Sequence, residues 1–305
     1  ANTNSIKQFI DNQEISFIKG DINNIDLVND ILQINEISHL INFAAESHVD
    51  KSIKSSFIFM ESNIIGTYNL LECFRKHWEK NNTPNKWRFL QISTDEVFGS
   101  LEKNDIPFSE VSPYLPRSPY SASKASSDHL VKSWFHTYGL PTLITNCSNN
   151  YGPWQFPEKL IPLTISNMIK GQKIPVYGDG LNIRDWLFVE DHCSAIDLVL
   201  SNSKPGESYC IGGNNEVKNI DLIFKIYKLI DLMAPNYQIS LKNINSAELI
   251  NFVEDRQGHD KRYSINASKI KNKLNWTPKY NLDDGLVKTI EWYLENRFFL
   301  DVKTY

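Results

Sequence analysis

The sequence predicts an α/β fold, a Rossmann-like doubly wound parallel sheet with a smaller α+β substrate lobe, on three observations. Short apolar runs alternate with longer segments of helical periodicity through the first half, which is the pattern of β-α-β units. Ser93, Thr94, Asp95 and Glu96 close one of those apolar runs, and open parallel sheets bind ligands just beyond the carboxyl ends of their strands. After Asn150 the texture changes to a stretch carrying Pro153, Pro157 and Pro162, where a second unit begins.

Taken in order, residues 15–22, 39–45, 87–94 and 142–148 are apolar runs of strand length, while 26–34 and 57–78 repeat apolar residues at helical spacing and 118–138 is a third helix. A turn at 177–180 precedes a helix-like run at 189–200, and 208–211 is expected to return as one more sheet strand. Residues 220–233 and 283–296 are amphipathic helices of the second lobe. Residues 1–150 are therefore expected to form a nucleotide-binding unit to which 186–215 returns, and 151–305 mainly a substrate lobe. None of the 13 glycines falls in a G-x-G-x-x-G or G-x-x-G-x-x-G spacing, so the strand, glycine turn and helix that open such a sheet are expected to precede residue 1.

Composition narrows the function classes. A net charge of −4 and a pI near 6.0 provide no global positive field to gather nucleic acid or anionic lipid. The four cysteines are far apart and form no Cys-x-x-Cys pair, which disfavours a disulfide framework or zinc ribbon and suits a reducing, cytoplasmic compartment. No apolar run approaches the ~18 residues that span a bilayer, so no membrane partner is expected. The histidines lack metal-ligand spacing, and no metal is expected.

Tyr120 and Lys124, four apart on a helix, lie on one face about 6 Å apart, where an ammonium can depress a phenol pKa and help it act as a base. Such a pair arises by chance in a chain this rich in both residues; its weight comes from following Thr94 by a single crossover. Asp95 and Glu96 have the usual alternative of solvated loop carboxylates. At a strand end, however, neighbouring side chains leave an extended backbone in opposite directions, which suits one acid and one base. Asn149, Asn150, Tyr151, Gly152 and Pro153 follow another strand and read either as a ligand edge or as a plain turn. Arg184 and Arg256 have forks suited to a diphosphate, or to surface ion pairs.

Seven blocks, Phe43 to Asp50 (FAAESHVD), Ile92 to Gly99 (ISTDEVFG), Ser118 to Leu130 (SPYSASKASSDHL), Thr145 to Pro153 (TNCSNNYGP), Phe156 to Pro162 (FPEKLIP), Arg184 to Asp191 (RDWLFVED) and Asp255 to Asp260 (DRQGHD), together resemble the extended short-chain dehydrogenase/reductase family, and within it the nucleotide-sugar 4,6-dehydratases. That resemblance implies tightly held NAD and an internal redox cycle that eliminates water from dTDP-glucose or UDP-glucose to give the 4-keto-6-deoxyglucose nucleotide; a 4-epimerase or decarboxylase of the same family is the alternative. It implies Thr94, Asp95, Glu96, Tyr120 and Lys124 as catalytic residues. By the same resemblance Asp21, Ile22, Ala44, Ala45, Ser62, Tyr120, Lys124 and Asn150 line the NAD site. Ser47, Thr94, Asn149, Lys159, Leu160, Pro175, Tyr177, Arg184, Asn219, Arg256 and His259 line the sugar-nucleotide site. Gln257 and Cys210 depart from the family's usual proline and asparagine. A homodimer paired through helices 57–78 and 118–138 is the implied assembly.

Overall fold

The computed structural model describes residues 3–81, 87–239, 241 and 246–301. Among these, nine strands occur: β1 (His39–Asn42), β2 (Arg88–Thr94), β3 (Thr142–Cys147), β4 (Asn149–Tyr151), β5 (Ile174–Tyr177), β6 (Ile183–Phe188), β7 (Ser208–Ile211), β8 (Glu216–Lys218) and β9 (Ile250–Val253). A four-stranded parallel sheet runs in the order β1-β2-β3-β7. β2 and β3 carry apolar side chains on both faces because helices cover both. Phe89 and Ile144 pack with Val28, Leu71, Phe74 and Val131 on one side. Leu90, Ile92 and Leu143 pack with Ile196, Val199 and Trp276 on the other.

The chain leaves this sheet at Ser148, whose N–H still donates to the Ile211 carbonyl (3.0 Å). It enters a second sheet at once, with β4 parallel to β6 and β6 antiparallel to β8. The separate β5–β9 pair flanks the Leu160–Lys170 helix, and a third apolar core (Ile165, Ile174, Trp186, Leu222, Ile226, Leu286, Ile290) joins these to the Asn219–Met233 and Leu282–Glu295 helices. Gly213 lets this lobe close. A Cβ there would sit 2.0 Å from the Trp186 carbonyl oxygen, which cannot yield without moving β6. We expect Gly213→Ala to destabilise the fold by about 1–3 kcal/mol and to lower the thermal midpoint measurably by calorimetry.

Three expectations are corrected, and one helix is found that the sequence did not announce. Residues 15–22 form no strand: a strand exists only where a neighbouring ladder pairs it, and β1 is bonded only to β2 among the described residues. The 57–78 helix is not continuous. It runs as Ser56–Phe59, a π-helical turn at Met60–Ile65, and Gly66–Asn81. The π-turn carries Asn63, whose side chain donates to the Glu46 carbonyl (3.0 Å) and Ser123 Oγ (2.8 Å) and accepts from the Glu46 N–H (2.8 Å), tying the loop after β1 to the next helix. The proline-bearing stretch also hides a helix, because Pro162 occupies the first turn of Leu160–Lys170, where no N–H is required. Finally, Asp95 and Glu96 do not lie on extended backbone but open a 3-10 turn, Asp95–Phe98, capped by the Thr94 hydroxyl, which accepts the Glu96 N–H at 3.2 Å. Successive residues on such a turn still diverge, by about a third of a revolution.

Candidate active site

The Pro119–Tyr138 helix starts where its sequence allows a sharp entry: Pro119 is at the first helical position, Ser118 and Ser121 cap each other reciprocally, and Gly139 closes the other end in the left-handed region (φ 71°). This delivers Tyr120 and Lys124 to the end of β2. Lys124 is only 4% exposed, and its Nζ donates to the Ile92 carbonyl at 2.7 Å. Tyr120 packs its ring edge-on to Phe59 (6.3 Å). The single hydroxyl hydrogen of Thr94 serves either Asp95 Oδ1, at 3.3 Å, or the Tyr120 oxygen.

Burial dominates the electrostatics. It pushes the Tyr120 phenol well above its ordinary value, with the Glu96 and Asp95 charges adding to the rise, so the depressed phenol expected from the Lys124 ammonium is not what this environment produces. The two carboxyls differ. Asp95, 2% exposed, is pushed well up by burial and then by the charges of Glu96 and Asp185, and its Oδ2 is buried without a hydrogen-bond partner among the described residues. Burial also raises Glu96, but Arg184, Lys159 and Arg256 oppose it. Burial thus raises both carboxyls, while the three cations act on Glu96 and Arg184 alone among them acts on Asp95.

Glu96 opens onto a cleft of about 250 Å³. Ten of the eleven residues expected at a sugar-nucleotide site line it: Ser47, Asn149, Lys159, Leu160, Pro175, Tyr177, Arg184, Asn219, Arg256 and His259. Thr94, the eleventh, is not part of its walls, nor are Asp95, Tyr120 and Lys124; all four are buried. Segments distant in sequence converge here. β3 runs into Asn149, β5 brings Pro175 and Tyr177, and β6 brings Arg184, which donates to the Asp260 carbonyl (2.9 Å) and stacks on Tyr263 (4.3 Å). Arg256 donates through Nε and Nη2 to both oxygens of Asp50 (2.6 and 2.8 Å) and lies over the Tyr177 ring, whose hydroxyl also donates to Asp50 (3.2 Å). His259 pairs with Asp255 at 2.6 Å, and Lys159 donates to the Ser47 carbonyl at 3.2 Å.

Of the residues expected around NAD, only Asn150 also lines that cleft. Ala44 and Ala45 follow β1; the Ala44 N–H donates to Asn42 Oδ1 at 3.1 Å. Ser62 lies in the π-turn, and Ile22 packs against Gly66, where a Cβ would come within 2.4 Å of its Cδ1. Asp21 is exposed and accepts the Asn23 N–H. Asn150 donates to Cys147 Sγ (3.2 Å), while its Oδ1 is buried with no partner among the described residues. A buried acceptor left unpaired at the end of the sheet fits a polar cofactor edge, so the residues present are compatible with NAD. Sequence reading missed Asp50, His48, Glu158 and Tyr263 near the cleft and Asn63 behind it. Only Asp50, His48 and Glu158 carried a signal, as members of the FAAESHVD and FPEKLIP blocks. Among the described residues no group of three His, Cys, Asp or Glu could hold a metal, and no helix is long and apolar enough to cross a membrane.

The family model described as GDP-mannose 4,6 dehydratase matches residues 1–289. A protein named dTDP-glucose 4,6-dehydratase from Xanthomonas campestris is 48% identical over 299 residues, 97% of this chain and 84% of the relative. Among solved structures, dTDP-glucose 4,6-dehydratase from Bacillus anthracis in complex with NAD superposes with a TM-score of 0.84 at 43% identity, covering 97% of this chain and 85% of that one. DesIV, a dTDP-glucose 4,6-dehydratase from Streptomyces venezuelae with NAD and TYD bound, gives 0.86 at 38% identity over 98% and 86%.

Proposed function

The chain belongs to the family described as GDP-mannose 4,6 dehydratase, and from that premise we propose that it is an NAD-dependent hydro-lyase converting dTDP-glucose to the 4-keto-6-deoxyglucose nucleotide and water. The observation that carries this reading is the pair of carboxyls, Asp95 and Glu96, that directly follows Thr94 at the end of β2: an epimerase needs the tyrosine and lysine but not two carboxyls beside them. Bound NAD+ would accept hydride from the sugar's C4 and later return it to C6, and its cationic ring would draw the Tyr120 phenol pKa back down. Tyr120, hydrogen-bonded through Thr94, takes the proton of the 4-hydroxyl. With C4 a ketone, the C5 hydrogen is acidic enough for Glu96 to remove as base, while the neutral Asp95 protonates the departing 6-hydroxyl; Glu96 then gives its proton back to C5 when C6 receives the hydride. Lys124, whose Nζ gives one hydrogen to the Ile92 carbonyl, has two more to offer the phenol or the cofactor.

In this reading residues 1–150, with 186–215, hold the cofactor and the remainder mainly holds the sugar nucleotide. Asp21, Ile22, Ala44, Ala45, Ser62 and Asn150 form the NAD side; Arg184, Arg256, Lys159 and His259 face the diphosphate, with Pro175 and Tyr177 beside the base. Thymine is the preferred base because the relatives at 48% identity are named for dTDP-glucose. Pairing of two copies through the Gly66–Asn81 and Pro119–Tyr138 helices is favoured by Phe57, Ile65 and Tyr68, all exposed on or beside the first of them. A cytoplasmic setting is favoured by four unpaired cysteines.

Incubation with dTDP-glucose and UDP-glucose tests the reading. An alkali-sensitive 4-keto-6-deoxy product is expected, faster from dTDP-glucose; no such product from either would overturn it. Arg256→Lys keeps the charge but loses the fork that Asp50 orients, and is expected to raise KM for the sugar nucleotide about 10- to 100-fold with a much smaller change in kcat, read from initial rates.

A further inference from the structure

Asp128 stands one turn beyond Lys124 and two beyond Tyr120 on the Pro119–Tyr138 helix, so the three side chains share a face. Its side chain is fully shielded from solvent, and buried acids ordinarily give up their charge. The surroundings here are those of an anion. Oδ2 accepts three hydrogen bonds, from Ser93 Oγ (2.7 Å), the Tyr114 hydroxyl (2.9 Å) and Asn146 Nδ2 (3.2 Å). A proton on Oδ1 would find no acceptor, since that atom is buried without a partner among the described residues. The donors are also well placed. Ser93 immediately precedes Thr94, Tyr114 comes from the loop after the 3-10 turn, and Asn146 on β3 also donates to the Thr94 carbonyl (3.2 Å). One carboxylate thus joins β2, β3, the loop and the helix directly behind the reacting groups.

We propose that Asp128 is the fixed counter-anion of Lys124, a positioning residue that anchors the end of β2 and keeps the buried ammonium protonated while Tyr120 works. The proposal rests on the dehydratase reading for its consequence in turnover, but not for its electrostatics. Burial lowers the Lys124 pKa and raises that of Asp128, and in each case the opposing influence is led by the charge of the other. Other titratable groups supply no substitute anion. Tyr120 shares the helix and is held neutral by burial, and Cys147 on β3 has its thiol pushed up to about 12. Among the described residues β2 meets the ammonium through the Ile92 carbonyl, which is neutral.

Two measurements test this. In the unsubstituted protein, lysine labelled with carbon-13 at Cε, with Lys124 assigned by its loss in Lys124→Arg, is expected to titrate with a midpoint above pH 7; a Lys124 neutral at pH 7 overturns the proposal. In Asp128→Asn that midpoint, and the alkaline limb of the kcat/KM profile, are expected to fall by about one to two pH units, while Asp128→Glu leaves the limb where it was. A uniformly slower Asp128→Asn enzyme with an unmoved limb and midpoint would show a packing role only and also overturn it. Should the protein turn over no sugar nucleotide while the Lys124 midpoint still falls in Asp128→Asn, the functional reading fails and the counter-anion stands.

Discussion

Glu96→Gln and Asp95→Asn are each expected to lower kcat by about 10²- to 10⁴-fold while leaving the oxidation of C4 intact, so that reduced nicotinamide accumulates on the enzyme. The substitutions are nearly isosteric, and neither glutamine nor asparagine can exchange the proton that elimination requires. Their pH signatures should differ. Glu96 acts ionised, and its raised pKa places the acid limb of the wild-type profile above the ordinary carboxylate range; this limb disappears in Glu96→Gln. Asp95 acts protonated, and burial beside Glu96 and Asp185 keeps it so as the pH rises, so Asp95→Asn is slow across the whole range. Absorbance of bound reduced nicotinamide in a single turnover, followed beside product release, separates oxidation from elimination. An epimerase would be little affected by either change, and unimpaired turnover in both variants would refute the assigned roles.

The parts of this structure legible in the sequence are those whose residues answer to one local cause. β2 reads as a strand because Phe89, Leu90 and Ile92 put apolar side chains on both faces, and the Pro119–Tyr138 helix announces its start with Ser118-Pro119 and its end with Gly139. β6 escaped because Arg184 and Asp185, 6% and 1% exposed, look like surface residues. Their burial is made tolerable by backbone partners no local pattern reveals: Asp185 accepts from the N–H groups of Gly213 (3.0 Å) and Asn215 (2.7 Å), some thirty residues away. The site divides the same way. Thr94, Asp95 and Glu96 are contiguous and Tyr120 and Lys124 share a helix turn, so their grouping could be read directly. The Asp50–Arg256 fork joins residues 206 positions apart, and the buried bonds of Asn63 depend on a π-turn that helical periodicity hides.

Tyr120→Phe is the complementary expectation: kcat should fall about 10³-fold, equivalent to about 4 kcal/mol of barrier, and no reduced nicotinamide should accumulate. Phenylalanine keeps the ring that packs edge-on against Phe59, so the fold and the cleft survive while the oxygen facing Thr94 is lost. The block then falls before oxidation, whereas in Glu96→Gln it falls after. Combining them is the sharper experiment, because in an ordered sequence the earlier block hides the later one. The double variant should match Tyr120→Phe in rate and in the missing reduced cofactor, instead of showing the product of the two losses. Accumulation of reduced nicotinamide in Tyr120→Phe would mean that another group removes the 4-hydroxyl proton, and the burial that holds this phenol protonated in the free protein would then be its working state.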